Sequence, residues 1–124
     1  MKYLLVLFLS ISLSACSQNE RTHLGKEFAE NELNLALSKQ SQHNVIDNET
    51  LILKDSSIAV SVAEPILFQL YGKENIESEK PYEIHFIKNY WLITGTLPQD
   101  SVGGTFMIIL DAKNAQIIKI THGK

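Results

Sequence analysis

The stretch YEIHFIKNYWLITGT, residues 82–96, decides the fold. In its first half Tyr82, Ile84 and Phe86 fall on one side of an extended chain and Glu83, His85 and Ile87 on the other, which is the period-two pattern of a half-buried strand. Lys88 and Asn89 interrupt it for two residues, and a second apolar run starts at Tyr90. Two such runs separated by a two-residue link containing Asn predict a β-hairpin. A second pair follows downstream, TFMIILD (105–111) and QIIKITH (116–122), separated by AKNA. Four strands joined in sequence by short links predict an antiparallel meander. Its middle strands are apolar on both faces in places, because Trp91 and Ile93 alternate with Tyr90 and Leu92, and 106–110 is continuously apolar. Either these strands are covered twice or one sheet face is left apolar and open.

The covering layer lies upstream, in DSSIAVSVAEPILFQLYG, residues 55–72. Asp55 or Ser56 can cap the first free amides of a helix, and Gly72 can end it. Ile58, Val62, Ile66 and Leu70 recur at four-residue steps, so they form an apolar stripe, widened by Ala59, Ala63 and Leu67, that must rest on the sheet. Helices followed by a run of antiparallel strands make an α+β layout. Trp91 reads as a core anchor. The run GKENIESEKPY (72–82), with Glu74, Glu77 and Glu79 around Lys73 and Lys80 and Glu83 just after it, reads as a solvated, acidic connection. LPQDSVGG (97–104) is the longest link within the sheet, and its Pro98 and paired glycines predict a shaped loop.

The amino-terminal end has a different character. Met1-Lys2-Tyr3 is followed by the apolar run Leu4 to Leu9, which continues through Ile11 and Leu13; at roughly ten residues this is half of what spans a bilayer as a helix. The run closes on Leu-Ser-Ala-Cys, with Cys16 the single cysteine of the 124 residues. That pattern resembles the bacterial lipobox, in which the cysteine thiol becomes a thioether to diacylglycerol and the chain is cut before it. Residues 1–15 are then a lipoprotein signal peptide and Cys16 a lipid attachment point; Ser17, rather than Asp, after the cysteine points to the outer membrane. Several acyl chains on one residue suffice for stable anchoring, at about 0.8 kcal/mol per buried methylene. Residues 16–45 form a polar tether with a short helical pattern from Lys26 to Leu37, and 46–124 form the domain.

Composition limits the chemistry. A formal net charge of −3, with no run of Lys or Arg, disfavours nucleic acid as a partner. A single cysteine leaves no disulfide and no Cys-based metal pair. There is no His-x-Glu-x-x-His spacing, no Walker-type loop and no Gly-x-Ser-x-Gly elbow, so neither a metal nor a cofactor is expected. General acid–base catalysis has only Glu83, His85, Asp111 and His122 to draw on, with His122 placed where chain ends fray.

In order along the chain, ILFQLYG, EKPYEI, YWLITGTLP and GGTFMIILDAKNAQIIKITHGK resemble the NTF2-fold immunity proteins of bacterial polymorphic toxin systems. The positions that carry the likeness are Tyr71, Gly72, Lys80, Pro81, Tyr82, Trp91, Gly95, Leu97, Pro98, Gly103, Gly104, Lys113 and Asn114. The resemblance implies an NTF2-like abbreviated cone, with one or two helices packed on a curved four-stranded antiparallel sheet. It implies no catalytic residues, and a role in binding and neutralising a cognate protein toxin. With the lipobox it gives a lipid-anchored envelope protein, outer-membrane and facing the periplasm. Two rival readings are an enzymatic or small-molecule-binding NTF2-like lipoprotein and an accessory envelope lipoprotein with no toxin link. The partner surface is expected on the face bearing Glu83 and His85, together with Gln99, Asp100 and Ser101 of the 97–104 loop.

Overall fold

The computed structural model describes residues 20–39 and 43–124. Cys16, and with it the signal-peptide and lipobox reading, lies outside the described residues. The chain divides into two compact units, 1–42 and 43–124.

In the first unit a single helix, α1 (Gly25–Leu37), is described; none of its residues is buried, and Phe28, Leu33 and Leu37 of its apolar side are exposed. No described helix is long and apolar enough to cross a membrane.

The second unit contains α2 (Ser56–Tyr71), α3 (Lys73–Glu77), β1 (Glu83–Ile87), β2 (Tyr90–Thr94), β3 (Phe106–Asp111) and β4 (Ile117–His122). The strands form one antiparallel sheet in the order β1-β2-β3-β4, the meander expected from the hairpin spacing. Lys88 and Asn89 both take positive φ, 50° and 67°, so the first hairpin closes on a mirror-image turn whose twist suits the flanking strands. Ile87 faces Tyr90 across it, and the register continues to Glu83 opposite Thr94.

Asp55 caps α2, its carboxylate accepting the Ile58 amide at 2.9 Å. Gly72, at φ 89°, ends the helix and lets the chain turn directly into α3. The helix continues through Pro65, which is exposed. Its buried seam is Ala59, Ala63 and Leu67, one residue round from the stripe the spacing suggests; Ile58 and Leu70 are exposed. The small alanines let the helix axis approach the sheet, which the larger aliphatics at 58 and 70 would prevent.

Against that seam lie Trp91, Ile93, Phe106, Ile108 and Leu110, all from one face of β2 and β3, and Ile76 of α3. Full burial of each such side chain contributes roughly 1.5–3 kcal/mol, so this inner face carries the stability of the unit. The segment before α2 is fastened to it: the amides of Ile52 and Leu53 both donate to the Ala112 carbonyl, at 2.9 and 3.0 Å. Trp91 Nε1 donates in turn to the Leu53 carbonyl at 2.8 Å, so the tryptophan is the core anchor expected of it. Just upstream, Asp47 accepts the amides of Thr50 and Glu49 and the Thr50 hydroxyl, and those donors, the Thr50 amide first, hold its carboxyl down at about 2.

Candidate functional site

The charged run at 73–83 is not the solvated connection its composition suggests. Residues 73–77 are helical, Ile76 is fully buried, and Glu79 is only 3% exposed. Glu79 Oε2 accepts the Phe106 amide at 3.0 Å, and Oε1 meets His122 Nε2 at 2.5 Å. His122 Nδ1 lies 2.7 Å from the Gly123 carbonyl oxygen, and Tyr71 packs against the imidazole with ring centroids 5.1 Å apart. Both ring nitrogens therefore face oxygen atoms, an arrangement that favours the doubly protonated ring. The Gly123 carbonyl, then Glu79, raise the His122 pKa against the opposing effect of burial. The chain end is thus pinned rather than frayed, and every polar atom of this pair is already committed to the protein. It joins α3 to the end of β4, and is architecture.

A second polar group sits beside it. Tyr82 Oη donates to Glu64 Oε2 at 2.9 Å, Lys80 Nζ lies 3.4 Å from the same oxygen, and the Tyr82 ring packs edge-on against Phe106. Burial, then the Glu64 carboxylate, push the phenol pKa well up, so Tyr82 remains a donor to Glu64 and ties the chain entering β1 to α2.

The residues singled out for chemistry are dispersed. Glu83 and His85 are exposed on β1 and pair with each other at 2.9 Å. Asp111 is buried, but its Oδ1 accepts the Lys113 amide at 2.9 Å, which shapes the β3–β4 turn. Gln99, Asp100 and Ser101 are exposed in the loop that leaves β2 beyond Thr94, the residue opposite Glu83. Among the described residues no group of three His, Cys, Asp or Glu side chains could hold a metal ion.

The feature that sequence reasoning left open is the second face of the sheet. Glu83, His85, Leu92, Ile109 and Met107 lie there, opposite the face that meets α2. Ile87, Lys88, Tyr90, Leu92, Ile109 and Ile118 line a groove of about 290 Å³ on it. Ile118 belongs there because the β3–β4 ladder slips at Ile109/Leu110: Leu110 faces Ile117 while Ile109 faces Lys119. The extra residue turns Ile118 outward next to Lys119, where strict alternation back from the inward Ile120 would have buried it. Bulges re-aim side chains in this way. The result is an apolar floor with Lys88 at one end and Lys119 beside it, on a chain whose net charge is negative. Such a surface offers shape and desolvation to a protein partner.

The sequence model of the NTF2 fold immunity protein family matches residues 58–124, more than half the chain and all four strands. The chain belongs to this family. In this member of the family, several of the positions that carried the resemblance are structural. A Cβ built on Gly95 would strike the buried Glu79 side chain, and one on Gly104 would strike the Gly123 backbone. Tyr71 packs on His122, Tyr82 holds Glu64 and Trp91 holds Leu53. Two Escherichia coli proteins are similar to it: YhhH, described as uncharacterized, is 35% identical over 59% of this chain and 58% of its own length. YbbC, also described as uncharacterized, is 33% identical over 73% of this chain and 69% of its own length. The chain therefore spans little more than half of the first relative. No solved structure gives a significant match.

Proposed function

We propose that this chain is an envelope immunity protein, anchored by lipid at Cys16, that neutralises a cognate protein toxin by binding it through the outer sheet face. The observation that carries the reading is the groove of Ile87, Tyr90, Leu92, Ile109 and Ile118. It is an apolar surface on the side of the sheet away from α2, in a chain whose family is defined by immunity. Membership of that family implies a toxin partner in general; the surface supplies a place for one. Burying such a patch on a partner is favourable by roughly 25 cal/mol for each Å² of apolar area removed from water, and the neighbouring Lys88 and Lys119 favour an acidic rim on the other side. The exposed Glu83–His85 pair lies on the same face, and Gln99, Asp100 and Ser101 stand beyond its Glu83–Thr94 end, where they would extend the contact.

The lipid anchor rests on the Leu-Ser-Ala-Cys pattern and the short apolar run before it. Ser17 supports the outer membrane as the destination. The polar residues after Cys16 would give the binding domain reach from the membrane surface.

The test is co-expression of the full chain with toxin domains encoded beside it, scored by cell survival. Protection by the parent chain, lost in Cys16→Ser when the toxin is delivered to the envelope, is the expected result. A chain that protects against none of them and captures none in pull-down overturns the toxin reading. Recovery of the parent chain in the soluble fraction, without incorporated palmitate, overturns the anchor alone.

A further inference from the structure

The two edges of the sheet are not alike. At β4 the slip at Ile109/Leu110 and the exposed Lys119 make the edge irregular and charged, two devices that discourage strand addition. At β1 the ladder is regular: Glu83–Ile87 pairs with β2 without a shift and contains no Lys and no Pro, its one acidic residue, Glu83, being paired with His85. The turn fixes which backbone groups face outward. Ile87 and Tyr90 flank a two-residue turn and exchange hydrogen bonds, so His85 and Glu83 also bond to β2, and the amides and carbonyls of Ile84 and Phe86 point away from the sheet. The opposite side of β2 agrees, since its neighbours Asn89 and Gly95 bond to β3 residues Ala112 and Phe106. Within the described residues of the sheet unit no other element bonds to the Ile84 or Phe86 backbone. Phe86 is stacked on Trp91 at 4.6 Å between centroids, yet 45% exposed, and Ile87 is 53% exposed.

We propose that a second copy of this chain adds to this edge, β1 against β1 antiparallel about a two-fold axis through His85, to form a continuous eight-stranded sheet. The strand is self-complementary in this register. Ile84 of one copy lies opposite Phe86 of the other, twice, and these are the residues whose free amides and carbonyls face outward, giving four new backbone hydrogen bonds. On the core side each exposed Phe86 edge meets an Ile84 side chain, an aromatic–β-branched pair of the kind that stabilises sheets. On the outer side Glu83 of one copy is diagonal to His85 of the other, extending the Glu83–His85 pairing across the axis. The axis runs perpendicular to the sheet, so both outer grooves remain open on the same side.

The test uses the full chain in detergent, with Cys16→Ser throughout so that an added cysteine is the sole thiol. His85→Cys is expected to give a disulfide-linked dimer on mild oxidation, because directly opposed residues of a non-hydrogen-bonded pair lie about 4.5 Å apart at Cα, within disulfide reach. Ile118→Cys at the other edge is expected to give none. His85→Lys places an ammonium beside its own Glu83 and sets two ammoniums against each other at the axis. It is expected to weaken dimerisation roughly fivefold in analytical ultracentrifugation, with the circular dichroism spectrum unchanged. A chain that sediments as a monomer at every concentration overturns the proposal, as does a dimer that cross-links through Ile118→Cys or is indifferent to His85→Lys. A monomer whose β1 edge is covered instead by a strand from another protein overturns it as well.

Discussion

Glu79 Oε1 and His122 Nε2 are 2.5 Å apart, joining residues 43 positions apart in sequence. One lies two residues beyond the end of α3 and the other is the last residue of β4, so the pair closes the domain at the point where its final strand would otherwise be held by ladder bonds alone. The Phe106 amide on the second Glu79 oxygen brings in β3 as well. A buried ion pair is stabilising only when its remaining lone pairs and protons are satisfied, and here they are: no buried side-chain nitrogen or oxygen of the described residues lacks a partner.

The pair makes stability depend on pH. His122 binds its proton more tightly in the native chain than the ordinary value of 6.5. Its stabilisation is therefore complete below that value and is lost as pH rises through the raised one. Melting temperature measured from about pH 6 to about pH 9 should fall with rising pH, and the slope should flatten in His122→Gln. Glu79→Gln should cost about 2 kcal/mol at the acid end. It should cost less at the alkaline end, where the neutral imidazole Nε2 can accept a hydrogen bond from the new amide. A Glu79→Gln cost that grows with pH would contradict the doubly protonated ring.

Gly95 and Glu79 should be energetically coupled. A Cβ at Gly95 comes within 2.7 Å of Glu79 Cβ and strikes its carboxylate, so Gly95→Ala alone should destabilise by about 1–3 kcal/mol through overpacking. In a Glu79→Gly background every Glu79 side-chain atom in its way is gone, and the same substitution should cost much less. Urea denaturation of the four chains in the cycle gives the coupling directly. Additive effects would mean that Gly95 is required for some other reason.

The strands were legible because their information is local: alternation at 82–87, a two-residue link at Lys88-Asn89, and a second hairpin at 112–115. Glu79 was not, because within GKENIESEKPY it is chemically indistinguishable from Glu74 and Glu77, which are exposed. Only the tertiary position of His122 separates it from them. α3 is five residues long, too short to show a period. Ile118 was hidden for a different reason, since alternation carries the eye from Ile120 to Ile118 on the same face, and one bulge reverses that. The ordered motifs did identify the family, and the legibility of Gly95, Gly104, Tyr71, Tyr82 and Trp91 follows from their role: they are places where the chain passes closely or where Tyr and Trp need a partner. The binding surface leaves no such mark, because apolar residues at 92, 109 and 118 look like core until the fold shows that nothing in the sheet unit packs on them.

Asp55 is the one residue at the start of α2 whose side chain caps the helix. Asp55→Ala should cost about 1 kcal/mol, lowering the melting temperature by roughly 4–8 °C for a domain of this size. Ser56→Ala, at the first helical position, should stay within about 0.5 kcal/mol of the parent. Equal effects at the two positions would move the cap away from Asp55.

Ile118 and Ile120 give the sharpest separation of binding from folding, since they are two residues apart on β4 and look alike in sequence. Ile118 is 50% exposed on the wall of the outer groove, whereas Ile120 packs against the core beneath α2. Ile120→Asp puts an unpaired carboxylate into the inner face and should cost roughly 3 kcal/mol or more, enough to unfold a marginal domain. Ile118→Asp leaves its carboxylate in water and should change stability by less than about 1 kcal/mol. If the groove is the toxin-binding surface, Ile118→Asp should nonetheless abolish protection in the co-expression assay while the protein accumulates to parental levels with an unchanged melt. Lys88→Glu, at the end of the same groove, should weaken protection through charge alone, and more so at low ionic strength. Full protection by both variants would move the binding surface away from this face and leave the groove without a role in immunity.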